Sequence, residues 1–158
     1  MIYHLSIAAI QPRRVADFLA ELWDGEVFPF PAVAKGSFAV LAGDDRNSLI
    51  EVYPLGTELV LETDSSDAGS CHNPEASGRS ATHAAISSPL PASDVLAIAE
   101  REGWSARFCK RGGHFGVLEL WLENLTMVEV LTDDMLSEYL VTMQIGHWRA
   151  ALRSGRLA

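Results

Sequence analysis

The sequence predicts an α+β fold in which two βαβββ modules form a cupped mixed sheet, followed by a C-terminal helix. Three observations support this prediction. A length of 158 residues and a hydrophobic content of 48% suit one domain, residues 1–158, with a single core. Apolar residues alternate in short segments, and between those segments they recur at helical spacing. The same order of segments then occurs a second time along the chain.

The first module spans about residues 1–56. It begins with a strand at 2–8, in which Leu5 and Ile7 lie on one face and His4 and Ser6 on the other. A helix follows, starting at Pro12 and ending near Gly25, with apolar side chains at positions 15, 18, 19, 22 and 23. Three further strands are predicted near 27–30, 37–41 and 49–53, the last two joined by a turn at 43–47.

The second module spans about residues 81–132 and repeats this order. Its strands are predicted at 81–87, 105–110, 116–122 and 126–131, with a helix from Pro91 to Gly103. Matching residues of the two modules are separated by a nearly constant number of positions. The separation is 79 for His4 and His83 and for Pro12 and Pro91. It is 78 for Gly25 and Gly103 and for Glu51 and Glu129. We therefore expect the two modules to complete one core.

Two segments lie outside the repeat. Residues 57–80 are expected to form an exposed connecting loop, because 62–80 are rich in Ser, Asp, Gly and Asn. Apolar residues at helical spacing predict a C-terminal helix over about 134–146, which Gly146 would end. Residues 147–158 are left unassigned.

Charge and composition exclude several classes of partner. Twelve Lys and Arg against 21 Asp and Glu give a net charge of -9, which repels nucleic acid and anionic membranes. The longest apolar runs, such as 38–42, are too short to span a bilayer. Because the start at Met1 runs directly into the predicted first strand, we expect no basic leader and no cleavage site. We expect a cytoplasmic protein whose two cysteines, Cys71 and Cys109, are free thiols.

Four residues at matched positions are the candidate site: His4, Glu51, His83 and Glu129. Each glutamate lies within a strongly apolar strand, where a buried unpaired charge costs several kcal/mol. A divalent cation bound by two imidazoles and two carboxylates compensates for this cost. In the alternative interpretation, both glutamates lie on solvent-exposed strand faces and both histidines are ordinary polar residues.

This arrangement resembles the vicinal oxygen chelate superfamily, which includes glyoxalase I, epimerases, extradiol dioxygenases and the bleomycin and fosfomycin resistance proteins. The resemblance covers about residues 1–132 and implies metal ligands on the first and last strands of each module. These ligands map onto His4, Glu51, His83 and Glu129. The metal is one divalent ion, and the ligands leave Zn, Ni, Co, Mn and Fe open. The resemblance also implies a small-molecule ligand and a homodimer as a hypothesis.

The function implied is that of a glyoxalase-like lyase, isomerase or epimerase. It would act on a small molecule with adjacent oxygens through a metal-stabilised enediolate-like intermediate. Glu51 and Glu129 are the candidate catalytic residues, with Glu51 preferred as the base and Glu129 as the permanent ligand. Two alternatives remain open. One is a non-catalytic binding or resistance protein of the same fold, and the other is an Fe(II)-dependent extradiol-type dioxygenase.

Other polar residues are weaker candidates. His72 is expected to be a solvated loop residue and His114 an exposed turn residue. Four basic residues could contact an anionic substrate, although surface solvation is the default expectation: Arg79, Arg107, Lys110 and Arg111.

Overall fold

The two predicted modules are present in the computed structural model, which describes residues 2–61 and 68–154. The elements of the first module are β1 (His4–Ala9), α1 (Pro12–Trp23), β2 (Glu26–Pro29), β3 (Phe38–Leu41) and β4 (Leu49–Pro54). A hairpin of β5 (Thr57–Val60) and β6 (Gly69–His72) follows. The second module consists of β7 (Ala84–Ser87), α2 (Ala92–Glu102), β8 (Ala106–Arg111), β9 (Phe115–Leu122) and β10 (Thr126–Leu131). Two helices end the described chain, α3 (Asp133–Thr142) and α4 (Ile145–Arg153).

Each module forms a four-stranded mixed sheet of the same topology. The strand orders are β1-β4-β3-β2 and β7-β10-β9-β8. In both sheets the first strand pairs in parallel with the last strand of its module, and the other neighbours are antiparallel. The helix between the first two strands supplies the crossover that a parallel pair requires. The predicted α+β fold with paired βαβββ modules is therefore confirmed.

One face of each sheet packs against helices in a shared core. Helix α1 buries an apolar stripe that includes Val15, Phe18 and Leu22, and the strand side chains Val40 and Val52 are fully buried in the same core. The buried side chains of α2 and β9 belong to this core as well. Neither sheet could bury its apolar face alone, so the two modules depend on each other for stability.

The helices of the two modules also contact each other directly. The Phe18 and Trp104 rings lie 4.7 Å apart between centroids. Arg14 donates to Glu102 at 2.7 Å, and Arg101 donates to Glu21 at 2.6 Å. These exposed ion pairs contribute little by themselves, so the buried aromatic pair accounts for more of the stability of this junction.

The first helix ends one residue earlier than predicted. Asp24, with a φ of 52°, is the left-handed C-cap of α1 and donates its backbone N–H to carbonyls of the last turn. Gly25 is still required, because a Cβ there would collide with the backbone carbonyl of Leu41. In the second module Gly103 itself is the left-handed cap, with a φ of 73°, as predicted.

Three expectations from the sequence differ from the structure. The connecting segment 57–80 contains the β5–β6 hairpin, and its residues 62–67 lie outside the described residues. The C-terminal helix is two helices separated at Met143 and Gln144, so Gly146 lies inside α4 and does not end a helix. Strand β7 begins at Ala84, three residues later than predicted. The last residues of the chain, 155–158, also lie outside the described part.

No helix in the described ranges 2–61 and 68–154 has the length and apolar character needed to cross a membrane.

The buried aromatic pair predicts the stability of a core variant. Phe18→Ala should lower the free energy of unfolding by about 3–5 kcal/mol, because it empties a fully packed position. The measurement is urea denaturation followed by circular dichroism. Phe28→Ala is the matched control, since that ring is 45% exposed, and it should cost less than about 1 kcal/mol. Equal losses for the two variants would contradict the shared core.

Candidate functional site

The two glutamates of the predicted site lie at equivalent places in the two sheets. Strand pairing in the first sheet aligns four side chains in one row: Ser6, Glu51, Ala39 and Phe28. In the second sheet the equivalent row is Ala85, Glu129, Glu119 and Arg107. We call the face that carries each row the glutamate face. It is opposite to the face that packs on α1 in the first sheet and on α2 in the second, while Tyr139 of α3 contacts Phe115 on the glutamate face of the second sheet. Both rows have the same strand order, so the repeat seen in the sequence is a repeat in space.

Glu51 is buried, with 8% of its surface exposed, and two hydroxyl groups stabilise it. Ser6 donates to its Oε2 at 2.6 Å and Tyr53 donates to the same oxygen at 2.5 Å. Burial first, and then the hydrogen bond to Glu51, raises the pKa of Tyr53, so this phenol remains a donor at neutral pH. The second carboxylate oxygen, Oε1, has no hydrogen bond to a described residue.

Glu129 is held by a guanidinium instead of hydroxyls. The Arg111 Nε donates to Glu129 Oε1 at 2.7 Å, and Arg111 Nη2 lies 2.6 Å from the same oxygen. Arg111 Nη2 also donates to Glu119 Oε2 at 3.0 Å. Glu119 and Glu129 face each other across β9 and β10, where two like charges repel. Arg111 therefore neutralises a repulsion that the strand register imposes.

Glu119 has the most hydrogen-bond donors of the three carboxylates and is only 5% exposed. The Trp121 indole donates to its Oε1 at 3.1 Å, and Arg107 donates to the same oxygen through Nε at 3.1 Å and Nη2 at 2.7 Å. The Trp121 hydrogen bond, followed by those from Arg107 and Arg111, lowers the pKa of Glu119 to about 2. Glu119 is therefore ionised throughout the physiological pH range.

The two histidines lie at the start of their strands and are exposed. His4 is the first residue of β1, two positions before Ser6, and so shares the glutamate face with Glu51. His83 precedes β7, two positions before Ala85, which pairs with Glu129. The Nδ1 atom of His83 lies 3.2 Å from the backbone carbonyl of Ala81. In each module the histidine thus lies two positions before the residue that pairs with the glutamate.

Strand register relates one histidine to one glutamate of the predicted site in each module. Within the part of the chain that the structure describes, no three His, Cys, Asp or Glu side chains are grouped so that they could hold a metal ion. The alternative of solvent-exposed glutamates is wrong, because Glu51 is buried and the Glu129 side chain is only 12% exposed. The assignment of His4, Glu51, His83 and Glu129 as a metal site remains a prediction.

The sequence analysis missed several residues of this site. Glu119 interrupts the apolar segment 117–121 as Glu51 and Glu129 interrupt theirs, so the same signal could have found it. Ser6 and Tyr53 gave no signal in the sequence. The weaker candidates behave differently from one another. His72 and His114 are exposed, Lys110 pairs with Glu138, and Arg107 and Arg111 bind the buried carboxylates.

Comparisons with solved structures identify the fold. The fosfomycin resistance protein FosX from Listeria monocytogenes is 11% identical, with 87% of this chain and 96% of that chain covered and a TM-score of 0.54. An integron cassette protein from the mobile metagenome of V. cholerae is 14% identical, with coverages of 84% and 94% and a TM-score of 0.50. A possible glyoxalase from Bacillus cereus is 10% identical, with coverages of 82% and 96% and a TM-score of 0.47.

The chain shares the fold of the Listeria monocytogenes and V. cholerae proteins, which is the fold of the vicinal oxygen chelate superfamily that the sequence predicted. No family model matches the sequence, and no curated protein is significantly similar to it. At such low identities the likeness defines the fold and leaves the activity to be argued from the site itself.

The environment of Glu119 predicts a dependence of stability on pH. Because its pKa in the folded state lies below the ordinary value of 4.5, the stabilisation is complete above pH 4.5 and is lost as the pH falls toward 2. Glu119→Gln should therefore be less stable than the wild type at pH 7, and the difference should shrink at pH 3. Urea denaturation at both pH values measures the difference in the free energy of unfolding between the variant and the wild type.

The control for this experiment is Glu100→Gln. Glu100 lies on the exposed side of α2, and its side chain makes no hydrogen bond within residues 2–61 and 68–154. It should change the stability little at either pH. A Glu119→Gln deficit that stays constant from pH 7 to pH 3 would show that the ion pairs of Glu119 do not stabilise the fold.

Proposed function

We propose that the chain is a metal-dependent enzyme of the lyase, isomerase or epimerase type, acting on a small molecule with adjacent oxygens. In this proposal His4 with Glu51 and His83 with Glu129 are two half-sites, and a second copy of the chain completes each site. The observation that supports it most is the placement of one histidine and one glutamate at equivalent positions of both modules. Imidazole nitrogen and carboxylate oxygen suit divalent ions such as Zn, Ni, Co, Mn and Fe.

The surroundings of the pairs fit metal ligation. A ligating histidine commonly gives its second ring nitrogen to a backbone carbonyl, and His83 Nδ1 has such a partner in Ala81, which leaves Nε2 for an ion. A ligating carboxylate is commonly oriented by hydrogen bonds to one oxygen. Glu51 has both hydroxyls on Oε2 and Glu129 has the guanidinium on Oε1. In each case the other oxygen is left for an ion.

The metal would act as a Lewis acid that stabilises negative charge on the substrate oxygens. The proton removed from the adjacent carbon needs an acceptor among the chain's own residues. Glu51 suits this role, because its partners are the neutral hydroxyls of Ser6 and Tyr53, which can reorient as the carboxylate moves. Glu129 suits permanent ligation, because Arg111 holds it in place through the Nε–H hydrogen bond and a close ion-pair contact of Nη2.

A second function, binding of a small molecule without turnover, has its own supporting observation. The cation of Arg111 lies against Glu129, and two hydroxyls donate to one oxygen of Glu51, so both carboxylates have partners from the chain itself. A binding protein of this fold would use the glutamate faces as a polar ligand surface. The presence or absence of a bound ion distinguishes the two functions.

Metal content tests the proposal directly. Protein purified without chelator should contain a divalent ion by elemental analysis, and His83→Ala or Glu129→Ala should lose it. Glu51→Gln should keep most of it, because the amide oxygen can still ligate. His72→Ala, an exposed histidine on β6, is the control and should bind as the wild type does. No ion, together with no rise in melting temperature on adding any of the five metals, would favour the binding function.

Sharing of the site between two copies makes a separate prediction. Because His4 and His83 are exposed, the His4→Ala and His83→Ala chains should both fold. As homodimers, each variant should lose the ion. A heterodimer of the two, purified through two different tags, should regain one site that has both histidines. Elemental analysis of the three dimers measures this. A monomer that retains the metal, or a heterodimer without any, would exclude the shared site.

A further inference from the structure

We propose that the glutamate face of the second sheet contains a subsite for an aromatic carboxylate, formed by the Arg107 guanidinium and the Trp121 indole ring. This inference rests on the proposed function in one respect, because both assume that ligands bind at the glutamate face. It needs no bound metal. A cavity of about 460 Å³ lies at this place. Its lining residues are Ser105, Ala106, Arg107, Glu119, Trp121 and Asn124.

Arg107 presents a cation to the cavity in a fixed orientation. Its Nε and Nη2 both donate to Glu119 Oε1, while the side chain is 72% exposed. Nη1 makes no hydrogen bond to any residue in the described ranges. A guanidinium held at one edge loses less side-chain entropy when its other edge binds a carboxylate. Arg107 is thus prepared to accept an anion.

Trp121 presents an aromatic surface to the same cavity. Its only polar atom, Nε1, donates to Glu119, so the ring plane is anchored and no donor remains for a ligand. The side chain is half-buried, and it can offer a ligand only its aromatic surface. An aromatic ring stacked on that surface gains both apolar contact and a favourable pair geometry.

The remaining groups of the cavity favour an anion over a cation. Glu119 is the one acid among the lining residues, but it is buried and its oxygens already accept from Trp121, Arg107 and Arg111. The amide of Asn124 is used as well, since it accepts from the Ser105 N–H and donates to the Gly103 carbonyl. What the cavity leaves available is a guanidinium edge beside an indole ring.

The test is isothermal titration of metal-free wild-type protein with 2-naphthoate and with the neutral amide 2-naphthamide. Naphthoate should bind at least about tenfold more tightly than the amide, the scale of one charge-assisted hydrogen bond. Arg107→Gln should weaken naphthoate binding by about tenfold, and Arg107→Lys by less. Arg13→Gln is the control, because Arg13 is an exposed arginine of α1 paired with Asp17, and it should have no effect.

Spectroscopy locates the bound ligand. The indole N–H signal of Trp121, assigned by its loss in Trp121→Phe, should shift on naphthoate addition while that of Trp148 stays in place. Three results would overturn the proposal: equal affinities for naphthoate and naphthamide, an unchanged naphthoate affinity in Arg107→Gln, or a shift of the Trp148 indole signal alone. Such a result leaves the metal content untouched, so failure of this inference is distinguishable from failure of the proposed function.

Discussion

Three carboxylates within apolar strands set the main physical constraint on this structure. Glu51, Glu119 and Glu129 are largely withdrawn from water, and an unpaired charge in such a position costs several kcal/mol. The fold meets this cost locally, with hydroxyls in the first sheet and guanidinium groups in the second. These partners orient one oxygen of Glu51 and one of Glu129, and the other oxygen of each has no hydrogen bond to a described residue.

The partners also break the symmetry of the repeat. Tyr53 and Ser6 occupy positions whose counterparts in the second module are Leu131 and Ala85, which have no hydroxyl. Conversely, the position of Glu119 in the first module is taken by Ala39, and that of Arg107 by Phe28. The two glutamates are equivalent by topology and different by chemistry. This difference supports separate roles for them, which the repeated motif alone does not distinguish.

Most of the fold was predictable because its elements have local signals. Pro12 begins α1, Gly103 caps α2 in the left-handed conformation, and β10 has the predicted bounds. The errors occur where tertiary contacts decide. Strands β5 and β6 pair with each other although β6 lies in the polar segment 62–80, and α4 includes Gly146 despite its low helix propensity. Similarly, Arg107 and Arg111 carry the pattern of surface residues, and only the strand register places them on buried carboxylates.

The same reasoning explains why a sequence repeat predicts strand neighbours within one module better than contacts between the two modules. In a βαβββ module the first strand pairs with the last, so connectivity alone brings the start of the first strand, with its histidine, to the strand that carries the glutamate. How one pair meets the other depends on the packing of whole modules, which strand periodicity does not encode. In this chain the modules share a core through α1 and α2, and on the glutamate face of the second sheet Phe115, Val117 and Leu131 belong to that core as well. Strand register therefore fixes each glutamate within its own module, and the packing of the modules decides what can reach the two glutamate faces.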